Sequence, residues 1–187
     1  LVAWLKSEFE KGGLTDVTAK DYNGTQGLIV RWKAEGKPKK KPILLIGHMD
    51  VVDARREDWS RDPFKMVEED GYLYGRGSTD MKSGIVAISN ALLRLKAEGF
   101  KPKRDIVVFF SGDEEVDGIG ANLASTEWRK LVDAEFALNA DAGGGSFLKD
   151  GTSLGFSIQT SEKMYQSFSF TARNPGSRSF VVKIPVE

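Results

Sequence analysis

Three short apolar runs constrain this chain more than any other feature: Ile43 to Ile46, Ile106 to Phe110, and Phe136 to Leu138. The first has no polar alternation, which predicts a strand buried on both faces, as parallel strands are. The segments between the runs carry a helical period. Ile85, Ile88, Leu92 and Leu95 predict a helix ending at Gly99, and a further helix is expected around Ala121 to Leu131. Leu1, Leu5 and Phe9 recur every four residues and stop at Gly12-Gly13, giving a first helix; two short strands follow, the clearer being Leu28 to Trp32. Repeated strand–helix alternation implies an α/β fold, a three-layer α/β/α unit with a mainly parallel sheet. Residues 51–78 read as a long functional loop with Trp59, Pro63-Phe64 and Tyr72-Leu73-Tyr74 as packing anchors. After Gly143-Gly144-Gly145 the pattern turns to period two, around Phe156 and Ile158 and again from Met164 to Thr171, which predicts antiparallel strands.

Bulk properties narrow the function. Among 187 residues, 27 basic side chains balance 27 acidic ones, so nothing argues for nucleic acid or a membrane surface as partner. A small molecule or peptide is expected instead. Zero cysteines exclude disulfides and thiolate metal sites and leave a soluble protein of cytoplasm or periplasm equally open. The start reads as a truncated helix, because no cap precedes it.

The chemistry sits at the ends of the apolar runs. His48, the single histidine, follows the first run in Gly47-His48-Met49-Asp50; Glu114-Glu115 follow the second; Asp141 follows the third; Asp80 stands between a Gly-rich turn and a helix start. Singly, each has an ordinary explanation: a loop histidine, a helix cap, a solvated acidic turn, a loop cap. Strand ends of an α/β sheet converge on one rim, so together they predict one metal site. His48 offers an imidazole nitrogen, and Asp50, two residues on, can hold the other ring nitrogen. Of two adjacent glutamates, one can ligate while its neighbour serves as general base. Competing motifs fail on their letters. Met81 stands where a phosphate loop needs glycine before Lys82-Ser83, and Gly143-Gly144-Gly145 lacks the dinucleotide spacing.

Gly47-His48-Met49-Asp50-Val51-Val52, Gly75-Arg76-Gly77-Ser78-Thr79-Asp80-Met81-Lys82-Ser83-Gly84, Ser111-Gly112-Asp113-Glu114-Glu115 and Asn139-Ala140-Asp141 together resemble the catalytic-domain signature of the M20 family of di-zinc metallopeptidases. That family includes glutamate carboxypeptidases, aminoacylases and succinyl-diaminopimelate desuccinylases. The resemblance implies a hydrolase of a peptide or N-acyl amide bond, acting through a metal-bound water activated by a glutamate. It implies two zinc ions, or cobalt or manganese in their place: Asp80 bridges, His48 and Asp141 bind one ion, and Glu115 binds the other. The implied catalytic residues are Glu114, the general base, and Asp50, which orients His48. A cis peptide is expected at Asp80–Met81. The implied domains are a catalytic domain over residues 1–163 and, from 164 to 187, the start of a smaller α+β lid that makes a homodimer.

Two departures stand out. The family's second zinc takes a later histidine that this sequence lacks, and Asn174-Pro175-Gly176-Ser177-Arg178-Ser179 has arginine where the family's lid motif has histidine. Arg178, with Arg173 as an alternative, is the candidate for binding a substrate carboxylate. The chain is therefore expected to be an incomplete record of a longer enzyme. The alternative reading is a non-catalytic metal-binding fragment or pseudoenzyme.

Overall fold

The structure, a computed structural model, describes residues 1–141, 144–160, 168–173 and 179–184. The chain forms two compact units, Leu1–Ala142 and Gly143–Glu187. In chain order, the first contains α1 (Val2–Lys11), β1 (Val17–Tyr22), β2 (Thr25–Trp32), β3 (Ile43–His48), β4 (Val67–Glu69), β5 (Tyr72–Tyr74), α2 (Gly84–Ala97), β6 (Ile106–Ser111), α3 (Ile119–Ser125), α4 (Arg129–Val132) and β7 (Phe136–Asn139). The second contains two antiparallel hairpins, β8 (Gly144–Phe147) with β9 (Ser153–Ser157) and β10 (Phe168–Arg173) with β11 (Ser179–Ile184).

The five-stranded sheet of the first unit runs β1-β2-β6-β3-β7. Its two halves differ. β3 pairs in parallel with β6 and with β7, whereas β2 is antiparallel to β1 and to β6. The sheet is thus mixed, because a tight turn joins β1 to β2 while the connections into β6 and β7 pass through helices.

β6 is central and buried along its whole length. Alternation along the strands divides its surroundings into two cores. On one face Leu28, Val30, Trp32, Ile106, Val108 and Phe110 pack with Leu5 and Phe9 of α1 and Ile85, Ile88 and Leu92 of α2. On the other, Ile29, Val107 and Phe109 pack with Ala124 of α3 and Val132 of α4. Helices on both faces make the unit α/β/α.

Three local expectations are corrected. β3 is half-buried from Ile43 to Gly47 rather than enclosed, because it lies beside the edge strand β7, whose residues are all exposed. The helix expected over 121–131 is two short helices. Ser125 and Thr126 both turn their hydroxyls onto the Asn122 carbonyl, at 2.8 Å each, which competes with helical backbone pairing. Within 51–78 the chain forms the β4–β5 hairpin, and only part of the expected anchoring is seen: Pro63 is buried and Arg76 lies over the Trp59 ring, but Phe64, Tyr72, Leu73 and Tyr74 are exposed. Among the described residues no helix is long and apolar enough to cross a membrane.

Because Phe110 is fully buried in the larger core and Phe64 is 62% exposed, Phe110→Ala is expected to lower unfolding stability by about 3–5 kcal/mol. Phe64→Ala should change it by less than about 0.5 kcal/mol. Equilibrium denaturant unfolding of the two variants measures both.

Candidate metal centre

The rim is assembled by strand register. In the parallel β3–β6 pair His48 stands opposite Ser111, and the Met49 amide donates to the Ser111 carbonyl at 2.8 Å. Residues 48–50 therefore run beside the acidic turn that follows β6. On the other side of β3, Ile46 stands opposite Asn139, so Asp141 reaches the same rim two residues after β7. Asp80 arrives from the turn before α2. The Asp80–Met81 peptide is cis, as expected, and the Met81 side chain is fully buried under the rim, its sulfur accepting from the His48 amide at 3.1 Å.

His48 is 1% exposed, and three carboxylates converge on one of its nitrogens. Nε2 lies 2.9 Å from Asp80 Oδ1, 3.6 Å from Asp141 Oδ1 and 3.8 Å from Glu114 Oε2. Donor atoms of His48, Glu114 and Asp141 lie within 4.8 Å of one another, and so do those of His48, Asp80 and Glu115. The other ring nitrogen, Nδ1, is 3.1 Å from the Asp50 carbonyl and 3.4 Å from its carboxylate. The Asp50 carboxylate also ties down the acidic turn, because its two oxygens accept the backbone N–H groups of Glu114 (3.1 Å) and Glu115 (2.9 Å). Arg178 lies outside the described residues.

The sequence assigns no role to Tyr22 or to the side chains of Met81 and Asp113. Asp113, 4% exposed, accepts from the Tyr22 hydroxyl at 2.8 Å and from the Gly120 amide. Burial, with Asp113 adding to it against the opposing Gly112 hydrogen bond, pushes the Tyr22 phenol up to about 12. Asp113 is legible only as a third acid in a cluster, and Tyr22 carries no local signal at all.

The electrostatics favour a cation. Burial raises the Glu114 carboxyl above its ordinary value; His48 opposes this, and Asp141, Glu115 and Asp50 reinforce it. Burial likewise raises Asp141, with His48 opposing and Asp80 reinforcing. For His48 burial alone would depress basicity, but the encircling carboxylates outweigh it and the net direction is upward. Like charges crowded on one buried imidazole are what a divalent ion relieves, and one nitrogen with several carboxylate oxygens suits a borderline-hard ion. The residues fit a metal.

The model of peptidase family M20/M25/M40 matches residues 44–178. The chain belongs to that family. An uncharacterized carboxypeptidase of Schizosaccharomyces pombe is 32% identical over 166 residues, 86% of this chain and 28% of the relative. A probable succinyl-diaminopimelate desuccinylase of Staphylococcus aureus is 48% identical over 84 residues, 44% of this chain and 21% of the relative. The chain thus spans less than a third of either relative. Among solved structures, the dipeptidase Dug1p of Saccharomyces cerevisiae superposes with a TM-score of 0.61 at 26% identity, covering 79% of this chain and 34% of that one. An M20 family metallo-carboxypeptidase of Sulfolobus solfataricus superposes with a TM-score of 0.64 at 20% identity over 91% of this chain and 35% of that one, a likeness of fold. The family implies a divalent metal, which His48, Glu114 and Asp141 can hold.

The raised groups set a pH dependence. Each binds its proton more tightly folded than unfolded. Its stabilising contribution is therefore full below the unfolded values of 3.8 for Asp141, 4.5 for Glu114 and 6.5 for His48, and is lost as pH rises through the raised folded values. Asp105 and Asp150 are shifted downward and have the opposite sign, but their contribution is complete above 3.8. In chelator, the thermal midpoint is expected to fall as pH rises above the ordinary values of 3.8, 4.5 and 6.5, and added zinc, which binds the deprotonated groups and so stabilises more as pH rises, should remove or reverse the fall. A flat or rising midpoint in chelator contradicts this electrostatic origin.

Proposed function

We propose that the whole protein is a metal-dependent hydrolase of a peptide or N-acyl amide bond, of carboxypeptidase or aminoacylase type, with zinc as the ion and cobalt or manganese as substitutes. The observation that carries this reading is the convergence of Asp80, Glu114 and Asp141 oxygens on His48 Nε2. His48 and Asp141 would hold one ion, Glu115 a second, and Asp80 would bridge them. A divalent ion held there supplies a Lewis acid and acidifies water.

The chain's own residues do the rest. Glu114, exposed at the rim with a raised carboxyl affinity for protons, takes a proton from the attacking water and delivers it to the leaving nitrogen. Asp50 holds the amides of Glu114 and Glu115, which fixes base and ligand relative to each other. The carbonyl of Asp50 accepts from Nδ1, leaving Nε2 unprotonated and free to ligate. Arg178 is proposed to bind a substrate carboxylate, since the arginine fork suits one bidentately. Residues 164–187 are proposed to begin a lid domain through which the whole protein forms a homodimer.

One observation favours a second reading. Both candidate ligand groups use the same histidine, and a sole nitrogen donor favours one tightly held ion and no turnover in these 187 residues.

In the whole protein, Glu114→Gln is expected to retain its metal while turnover of dipeptides or N-acyl amino acids falls by about 10²–10⁴-fold. Metal analysis beside a steady-state assay measures both. Undiminished turnover removes Glu114 as the base.

A further inference from the structure

The acidic turn that carries Glu114 and Glu115 is held from two sides, and only one of them belongs to the rim. From β3, Asp50 takes the Glu114 and Glu115 amides. From the opposite side comes the β1–β2 hairpin. Tyr22, the last residue of β1, donates its hydroxyl to Asp113 Oδ1 at 2.8 Å and accepts the Gly112 amide at 3.0 Å. Thr25, the first residue of β2, donates its hydroxyl to the Gly112 carbonyl at 3.0 Å. Four successive residues, Gly112 to Glu115, are thus pinned by side chains more than sixty positions away in sequence.

The fit is close enough to be specific. A Cβ at Gly112 would lie 2.5 Å from the Gln26 carbonyl oxygen, and one at Gly120 would lie 2.3 Å from the Tyr22 hydroxyl and 2.9 Å from Asp113 Oδ1. Asp113 also accepts the Gly120 amide with both carboxylate oxygens, at 3.1 and 3.2 Å. The Tyr22 ring is braced edge-on by Trp128 at 5.4 Å, so the hydroxyl is presented from a fixed ring. Tyr22 lies outside the residues matched by the family model, 44–178.

We propose that Tyr22 is a positioning residue for Glu114 and Glu115, acting through Asp113 and the Gly112 amide to set the register of the acidic turn. The role in turnover rests on the reading of Glu114 as base; the role in holding the turn does not. A base must stay within about 0.5 Å of its productive place, and a displacement near 1 Å costs on the order of 10²-fold. Tyr22 therefore acts on rate without touching the reaction.

Tyr22→Phe removes the hydroxyl and keeps the ring against Trp128. In the metal-free protein, hydrogen exchange of the amides of residues 112–115 should accelerate at least about tenfold, because their local opening no longer breaks the Tyr22 hydrogen bonds. The amides within β6 should be unaffected. In the whole protein kcat should fall by about 10–10²-fold with KM within about twofold. Thr25→Val, which removes only the second hydroxyl, should move both readouts in the same direction by less. Leu92→Ala, a core change elsewhere, should lower stability without local exchange or a kcat change. If Tyr22→Phe leaves exchange at residues 112–115 unchanged, the proposal fails whatever the activity. If exchange accelerates and Glu114→Gln abolishes turnover while Tyr22→Phe keeps full kcat, the positioning role fails and the functional reading stands. If exchange accelerates and Glu114→Gln is fully active, the functional reading fails and Tyr22 stands as the clamp of the turn.

Discussion

The parallel register of β3 on β6, which sets His48 opposite Ser111, is the constraint on which the rest of the site depends. It brings a buried imidazole beside an acidic turn that lies more than sixty residues further along the chain. The Asp50 carboxylate then ties the two together by accepting both glutamate amides. A slip of one residue would turn every side chain of β3 to the other face of the sheet, carrying the His48 imidazole away from Asp80, Glu114 and Asp141.

That rim is electrostatically unfavourable as an isolated assembly. Three carboxylate oxygens lie within 4 Å of one imidazole nitrogen, and burial pushes Glu114 and Asp141 toward their neutral forms. Folding can hold such a group together because the surrounding backbone is over-determined: Met81 from below, Asp50 from β3, Tyr22 and Thr25 from the first hairpin. A polar rim of this kind departs from the local rules that govern the core, and the cost is met by packing elsewhere.

Much of this was legible in the letters. The unbroken run Ile106 to Phe110 marks the buried strand β6, and strand ends of an α/β sheet share a rim, so His48, Glu114, Glu115 and Asp141 group together on sequence alone. Asp80 joined them through its turn and helix start. What was not legible depends on contacts distant in sequence. Nothing local to Tyr22 marks a partner ninety-one residues away. The Asp50 carboxylate was expected to serve the His48 ring, whereas the Asp50 carbonyl makes the shorter contact and the carboxylate holds the turn. The break between α3 and α4 follows from hydroxyls competing for one carbonyl, an effect that hydrophobic period does not register. The half-burial of β3 and the mixed sheet reflect strand order, which periodicity does not report.

His48, Asp80, Glu115 and Asp141 are proposed to hold a divalent metal. Anomalous diffraction at the zinc edge from crystals of the zinc-loaded protein tests it most directly. A strong peak is predicted within about 2.0–2.2 Å of His48 Nε2 and of carboxylate oxygens at the rim. A zinc peak elsewhere on the protein, with none beside His48, would contradict it.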